Sequence, residues 1–310
     1  MWYCLLLLAL KMASLAGEPE YLKALRSYPS LITSGAGHIT VYSVWDEFGL
    51  QKMAEARRSG LLRWQPTDSS RQFFIAFKGD KLKWEIVDTT RSQSGTIYIR
   101  DWRGVKFGEE SRAVCYNREL GEVVEGRGYI NDPSPGPFDM KIDMRPAFLG
   151  VGERLTELLQ GRSRWWSGGH RLIVQRLGSE IVDGLPCERF KLSSDQIVIN
   201  VWLSKQHGYL PYRIERDERE VPGRIDRHRW TYKYRRYRDD LWFVDRINSQ
   251  YIWVFDGREN LFSHQMIKVE DDFSINIDLP DDIFQIKFYK GQEVRVWQGE
   301  TYKVIIWGEQ

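Results

Sequence analysis

The stretch RQFFIAFKGDKLKWEIVD, residues 71–88, holds two runs of alternating apolar and polar residues on either side of Gly79-Asp80. Gly adopts positive φ without steric cost and Asp bonds its own backbone, so the pair predicts a tight two-residue turn. Because side chains alternate between the faces of a strand, the resulting antiparallel hairpin gathers six apolar side chains on one face, with Phe74 on the other. These six are Phe73, Ile75, Phe77, Leu82, Trp84 and Ile86.

The composition of the whole chain favours the same kind of structure. Its 310 residues include 13 Trp, 15 Tyr and 14 Phe, and aromatic residues are enriched in strands. From Arg171 onward, short strand patterns recur, separated by turn pairs such as Asp183-Gly184 and Asp256-Gly257. We therefore predict a mainly antiparallel β protein with a few helices, built as a meander of consecutive hairpins.

Three segments have helical spacing of their apolar residues: 18–31, where Pro29 is expected to end the helix, 50–64 and 152–159. The Pro-rich stretch NDPSPGP, residues 131–137, is a candidate boundary between two domains. Strand patterns on both sides of it resemble parts of one sheet, so we predict a single domain over residues 18–310.

The N-terminus has features of an export signal. A short apolar run from Trp2 to Leu10 is followed by Ser14-Leu15-Ala16, which supplies the small residues that a signal peptidase recognises. Residues 1–17 are accordingly predicted to be a signal peptide, which places the protein in the periplasm or outside the cell; a cytoplasmic protein with an apolar first helix is the alternative. Glu18 stands where a lipid-anchored protein would have its acylated Cys, so we expect no lipid anchor.

The cysteines allow two interpretations. Once a signal peptide is removed, Cys115 and Cys187 remain. In an oxidising compartment they form either one bridge or two buried, inert thiols, and the sequence does not decide between these.

The charge balance of 45 basic against 43 acidic residues argues against a dedicated nucleic-acid binder. The most basic stretch, residues 223–238, interleaves Trp230, Tyr232 and Tyr234 with Arg and Lys. It is either a strand that grips nucleic acid or a strand with its aromatic side chains inward and its polar ones in water. Clean alternation favours the second interpretation, in which an anionic lipid headgroup at the rim of the sheet is also possible.

We find no motif that specifies catalysis. The five His residues have no metal-ligand spacing, and no nucleophile elbow or phosphate-binding loop occurs. Gly104, Gly108, Gly126 and Gly128 are in turn-like contexts. We predict a non-enzymatic protein without metal or cofactor; an enzyme that uses scattered acids with His207 or His264 is the weaker hypothesis.

A long meander must shield its apolar face, and three short helices are too few to cover it fully. Either a cavity remains that takes a hydrophobic ligand, or the aromatic side chains fill the space themselves. These two outcomes are equally compatible with the composition.

Four stretches of the sequence resemble a known protein family. VDGLPCERFKLSSDQIVINVWLSKQHGYLPYRIERDE, residues 182–218, resembles the signature stretch of the LolA-like family of periplasmic lipoprotein carriers, in which a strand ending in Trp-Leu precedes a Pro-containing turn. Here these are Trp202-Leu203 and Leu210-Pro211. Three further stretches fit a large, divergent member of that family: FFIAFKGDKLKWEI, DDLWFVDRINSQY and IDLPDDIFQIKFYKGQEV.

The resemblance implies a fold and a function. The fold is an incomplete half-barrel with a helical lid, and the function is that of a periplasmic carrier of acyl chains or lipoproteins whose partners include envelope membrane proteins. An envelope sensor of the sigma-factor-regulator type, acting through protein contacts, is the alternative. The carriers have an Arg-Pro pair on an early strand; the matching place here is near Lys78-Gly79, without such a pair. The implied cavity lining is Phe73, Ile75, Phe77, Leu82, Trp84 and Ile86, with Val201 and Leu203 or Trp202 depending on the register.

Overall fold

A computed structural model describes most of the chain. The predicted signal peptide lies outside the described residues, and so does most of the Pro-rich stretch. The described residues are 18–60, 69–91, 97–107, 110–119, 122–131, 151–162, 171–219, 221–238, 241–299 and 301–308.

Within these described residues, three α-helices and one 3₁₀ helix accompany sixteen strands. The helices are α1 (Glu20–Leu31), α2 (Glu47–Arg58), α3 (Val151–Leu159) and the 3₁₀ helix Asp281–Phe284. The first eight strands are β1 (Ser34–Trp45), β2 (Ser69–Lys78), β3 (Lys81–Arg91), β4 (Ile97–Phe107), β5 (Glu110–Glu119), β6 (Glu122–Ile130), β7 (Ile173–Val182) and β8 (Leu185–Ser193). The others are β9 (Ile197–Ser204), β10 (Leu210–Glu218), β11 (Arg224–Arg238), β12 (Leu241–Phe255), β13 (Arg258–Val269), β14 (Ser274–Ile275), β15 (Glu293–Gln298) and β16 (Thr301–Ile306).

The helix boundaries differ from the predicted ones for local reasons. Helix α1 continues two residues past Pro29, to Leu31. Helix α2 begins at Glu47, three residues before the predicted start, because the Asp46 side chain caps it by accepting a hydrogen bond from Phe48 N. It ends at Arg58, and the prediction beyond residue 60 lies outside the described part of the chain.

All sixteen strands belong to one sheet, in the order β16-β15-β6-β5-β4-β3-β2-β1-β13-β12-β11-β10-β9-β8-β7, with β14 beside β1. Neighbours are antiparallel except β15 and β6, which are parallel. The sheet is open, since β16 and β7 lie at its two ends. The predicted fold class, mainly antiparallel β with a few helices, is confirmed. Strands β6 and β7, which precede and follow the Pro-rich stretch, are members of the same sheet.

The hairpin of residues 71–88 has the predicted register. Phe73 pairs with Ile86, Ile75 with Trp84, and Phe77 with Leu82 across β2 and β3. Gly79 in the turn has φ of 58°, the left-handed conformation that the sequence required. Phe74 lies on the opposite face, as predicted.

The face that carries those six side chains, called the helix face below, packs against α1 and α3. Together they form one hydrophobic core that extends along the sheet to β8 and β9. Among its members are Leu22, Leu25, Tyr28, Leu155, Leu158, Leu159, Ile39, Val41, Phe190, Leu192, Ile199, Ile214, Tyr232, Phe243, Ile247, Ile267 and Val269.

Three glycines that were predicted to lie in turns lie inside strands instead, and the reason is steric. Gly104 is in β4, and Gly126 and Gly128 are in β6; Gly108 lies outside the described residues. A Cβ at Gly104 would lie 2.1 Å from Cζ2 of the Trp84 ring, and one at Gly128 would lie 2.7 Å from an atom of the Phe288 ring. These glycines mark places where a large ring lies against the backbone of a neighbouring strand.

The opposite face, called the outer face, is covered in part by residues 276–292, which we call the strap. Its Phe284 packs with Leu279 and Ala76 in one cluster, and Phe288 packs with Val114 in another. The strap is also held by charge. Lys78 Nζ donates to the carbonyl of Leu279 at 2.7 Å, and Asp281 pairs with Lys81 at 2.8 Å. Lys78 therefore fastens the strap to the sheet.

The basic strand β11 has its aromatic side chains inward, as the alternation predicted. Tyr232 is buried in the core, and Trp230 and Tyr234 pack against it. On the outer face its arginines are paired: Arg229 Nε lies 2.6 Å from Glu215, and Arg227 Nε lies 2.7 Å from Asp217. Although burial opposes it, hydrogen bonds from Arg213 and Arg229 hold the pKa of Glu215 below its usual value.

Neither Cys115 nor Cys187 forms a disulfide within the described residues, and both are buried, which corresponds to the interpretation as two separate thiols. Burial raises the pKa of the Cys187 thiol to about 11, and the Glu180 carboxylate contributes. At neutral pH this thiol is protonated and therefore a poor nucleophile.

Within the described residues, no helix is both long enough and apolar enough to cross a lipid bilayer.

The contact of Gly104 with the Trp84 ring yields a stability prediction. Gly104→Ala is expected to lower the free energy of unfolding by about 1–3 kcal/mol, because the added methyl overlaps the ring and forces it to move. Chemical denaturation would measure this. In a Trp84→Leu background the same substitution should cost much less; an equal cost in both backgrounds would show that the ring is not responsible.

Candidate functional site

The helix face has one end that is closed by helices. There, Leu25 of α1 and Leu158 of α3 are fully buried against the sheet. The hydroxyl of Tyr28 donates to the carbonyl of Trp242 at 2.6 Å, and the rings of Tyr21 and Phe190 lie 4.7 Å apart. We call this region the sealed half.

Eight of the nine residues implied as cavity lining lie in the core of the sealed half. All are buried: Phe73, Ile75, Phe77, Leu82, Trp84, Ile86, Val201 and Leu203. The ninth, Trp202, is on the outer face, where it packs with Cys187 and lies between the guanidinium groups of Arg189 and Arg213, each 5.1 Å from its ring. Of the two registers left open, the one with Val201 and Leu203 toward the helices is observed.

The other end of the helix face carries a continuous set of aromatic side chains. His228 pairs with Tyr251 across β11 and β12, and its ring stacks on Tyr251 at 4.5 Å and on Trp230 at 5.5 Å. Farther along, Trp253 contacts Phe262 at 4.9 Å. We call this set the aromatic row; its members are Trp230, His228, Tyr251, Trp253, Phe262 and Phe48 of α2.

The aromatic row lies on the helix face because of strand alternation. Ile247 is in the core, and Ser249, Tyr251 and Trp253 follow it at intervals of two along β12. Unlike the core, the row is only partly covered, since all its members except Phe262 are half-buried. We call this region the open half of the helix face.

Two ion pairs flank the aromatic row on the same face. Arg216 lies 2.6 Å from Glu218 on β10, and Arg224 lies 2.8 Å from Asp226 on β11. Glu218 and Asp226 are opposite each other in the strand pairing, so two carboxylates and two guanidinium groups are close together. The guanidinium of Arg224 also lies 4.3 Å from the centre of the Trp253 ring. This end of the row combines apolar rings with groups that can bind a polar ligand atom.

Three buried polar atoms at this end have no hydrogen-bond partner within the described part of the chain: Arg224 Nε, Asp226 Oδ1 and Trp253 Nε1. Buried polar atoms of this kind usually meet a water or a ligand atom.

Helix α2 lies over one end of the aromatic row. A Cβ at Gly49 would be only 1.9 Å from the carbonyl oxygen of Phe262, so the helix approaches the strand closely at this one point. Asp46 N donates to the same carbonyl at 3.3 Å, and the Phe48 ring lies 5.8 Å from Trp253. The side of α2 away from the sheet is exposed, with Leu50 43% accessible. Helix α2 is therefore attached through few buried residues.

The residues proposed for a hidden enzyme do not converge. His207 contacts Tyr234 and Trp242, next to the core on the helix face, whereas His264 pairs with Val44 on the outer face. Throughout the described residues, no group of three or more His, Cys, Asp or Glu side chains is placed to hold a metal ion.

Comparison with known proteins assigns no family. No family model matches the sequence, and no curated protein matches it. Among solved structures, a DUF1329 family protein from Desulfovibrio piger covers 86% of this chain and 98% of its own, at 12% identity and a TM-score of 0.38. A putative outer membrane lipoprotein-sorting protein domain from Vibrio parahaemolyticus covers 85% and 95%, at 13% identity and a TM-score of 0.41. The structure of MucB in complex with MucA(peri) covers 83% of this chain and 98% of its own, at 8% identity and a TM-score of 0.19.

Because α2 approaches the Phe262 carbonyl so closely at Gly49, the substitution Gly49→Ala tests whether the helix is docked there. Helix propensity alone predicts a gain of about 1 kcal/mol from this change, whereas overlap with the Phe262 carbonyl predicts loss of docking. We expect the overlap to dominate, so that amides of α2 exchange hydrogen at least about ten-fold faster, equivalent to about 1.4 kcal/mol. Gln51→Ala, at an exposed position of the same helix, is the control and should leave exchange nearly unchanged. Slower exchange in Gly49→Ala would contradict the docked arrangement.

His228 predicts a pH dependence of stability. Burial lowers the pKa of His228 below its usual 6.5, and Arg216 adds to this, although Glu218 and Asp226 oppose it. The unfolded chain then binds a proton more readily than the folded one, so the free energy of unfolding should fall as the pH drops below 6.5. His228→Gln should flatten this fall in denaturation experiments on either side of that pH. A part should persist, because burial also lowers the pKa of His207; an unchanged slope would argue against a neutral His228.

Proposed function

We propose that this protein is a non-enzymatic carrier of the cell envelope that holds an acyl chain, free or as part of a lipoprotein, against the open half of the helix face. The observation that supports this best is the aromatic row, a continuous set of half-buried rings on the otherwise sealed face of the sheet. Rings left half-exposed in this way offer apolar area that a hydrocarbon ligand would remove from water.

The chemistry of the row suits an amphiphilic ligand. Burial of apolar surface stabilises a complex by roughly 25 cal/mol per Å², or about 0.8 kcal/mol for each CH₂ group. The chain would lie along Trp230, Tyr251 and Trp253. Its polar head would then meet the Arg216–Glu218 and Arg224–Asp226 pairs, which supply both donors and acceptors.

Helix α2 is the proposed entrance. It rests on the sheet mainly through Gly49 and Phe48, so its displacement would expose few apolar groups. The sealed half is a different case, since Leu25 of α1 and Leu158 of α3 are fully buried there. The eight buried candidates, including Phe77 and Val201, would line the cavity only if α1 and α3 also moved; in that state a longer chain could reach them.

The proposed place of action follows from the N-terminal residues. An apolar run followed by small residues is typical of exported proteins, and a carrier of acyl chains would exchange its cargo with envelope membrane proteins. No cofactor takes part in this proposal.

The proposal predicts that ring removal on the helix face weakens lipid binding. Trp253→Ala should weaken binding of cis-parinarate, a fluorescent fatty acid, by at least about ten-fold, since losing the apolar contact between the ligand and this ring costs about 1.5–3 kcal/mol. Trp202→Ala, on the outer face, is the matched control and should bind as the unmodified protein does, provided that circular dichroism shows both variants folded. Native mass spectrometry of protein purified without detergent should reveal acyl adducts. Equal binding by both variants, or a bare mass, would count against an acyl carrier.

A further inference from the structure

The outer face contains a second concavity, on the other side of the sheet from the aromatic row. It is a pocket of about 520 Å³ between the strap and the hairpin of β4 and β5, within the size range of small-molecule sites. Its lining is Val105, Phe107, Glu110, Arg112, Phe284, Gln285, Ile286, Lys287, Phe288 and Trp307.

The walls of this strap pocket are aromatic and come from three separate elements. Phe107 ends β4 and is 36% exposed, Phe288 belongs to the strap, and Trp307 follows β16. The rings of Phe288 and Trp307 meet edge to face, with centres 5.0 Å apart. The backbone of Trp307 is held in place by two hydrogen bonds of 2.9 Å. Its backbone N–H donates to the carbonyl of Gln292, and its carbonyl accepts from the backbone N–H of Gly291. The walls are therefore pre-formed and not assembled by a ligand.

The floor is apolar and the rim is charged. Val105 and Phe284 are buried beneath the pocket. At the rim, Arg112 Nε pairs with Glu110 at 2.9 Å, which uses one of the five N–H donors of the guanidinium. Lys287 is exposed and has no ion-pair partner among the described residues. It also lines a smaller recess of about 160 Å³, whose other charged side chains are Lys83, Glu85 and Arg103. There Lys83 pairs with Glu85 at 2.8 Å and Arg103 pairs with Asp101 at 2.9 Å. The excess of positive charge at the rim is therefore that of Lys287.

From these features we propose that the strap pocket binds a flat aromatic anion. Flat rings stack against aromatic walls at offset or edge-to-face angles, which a saturated chain does not exploit. The carboxylate, sulfonate or phosphate of such a ligand lies at the rim, where Lys287 and the N–H donors of Arg112 other than Nε bind it. This site is independent of the acyl-binding proposal, because the sheet separates the pocket from the aromatic row.

The test uses a pair of probes with nearly the same shape. Naphthoate carries the anionic group, and its neutral amide, naphthamide, does not. Titration calorimetry of the full chain should show saturable binding of naphthoate at one site and weaker binding of naphthamide. Lys287→Gln should weaken the binding of naphthoate by about five-fold, as expected for the loss of a partly exposed ion pair. Phe107→Ala should weaken both probes by about five- to ten-fold, because it removes a stacking wall.

Matched variants separate this pocket from other surfaces. Lys290→Gln changes an exposed strap lysine that does not line the pocket, and Tyr302→Ala removes an exposed aromatic side chain from β16; both should leave naphthoate binding unchanged. Trp253→Ala tests the aromatic row and should also have no effect. The proposal is overturned if naphthamide binds as tightly as naphthoate, if Phe107→Ala and Lys287→Gln both bind normally, or if Trp253→Ala abolishes binding.

Discussion

The dominant constraint on this structure is the area of its single sheet. Sixteen strands create two broad faces, and the three helices described are short. Each region of the sheet is shielded in its own way, because one covering element does not suffice. Leucine-rich helices close half of the helix face, the strap covers part of the outer face, and arginine–carboxylate pairs lie over β10 and β11. The aromatic row and the strap pocket are two of the places in the described part of the chain where this shielding is incomplete.

Much of the fold was predictable from local patterns. The Gly79-Asp80 turn sets the register of β2 and β3, and once the turn is fixed the alternation places Phe73, Ile75 and Phe77 on one face. The same alternation predicted that Trp230 and Tyr232 of the basic strand point inward. These predictions succeed because each depends on residues a few positions apart.

The position of the candidate site was not predictable in this way. The sequence places the six hairpin side chains on one face but does not indicate where α1 and α3 lie, and those helices bury them. The row of His228 and Tyr251 depends on the pairing of β11 with β12, although the alternation in HRWTY and YIWVF is a visible signal. The prediction of a turn at Gly104 was wrong because the ring that requires a glycine there, Trp84, is twenty positions away in the chain.

The central strand β1 has one further consequence, for the way the chain folds. One edge of β1 pairs with β2, which follows it closely, while the other pairs with β13, more than two hundred residues later. During synthesis, the backbone groups along that second edge have no native partner until nearly the whole polypeptide has been made. High contact order of this kind is associated with slow folding and with a period of susceptibility to aggregation. A protein with this topology is expected to benefit from chaperones that shield unpaired strands.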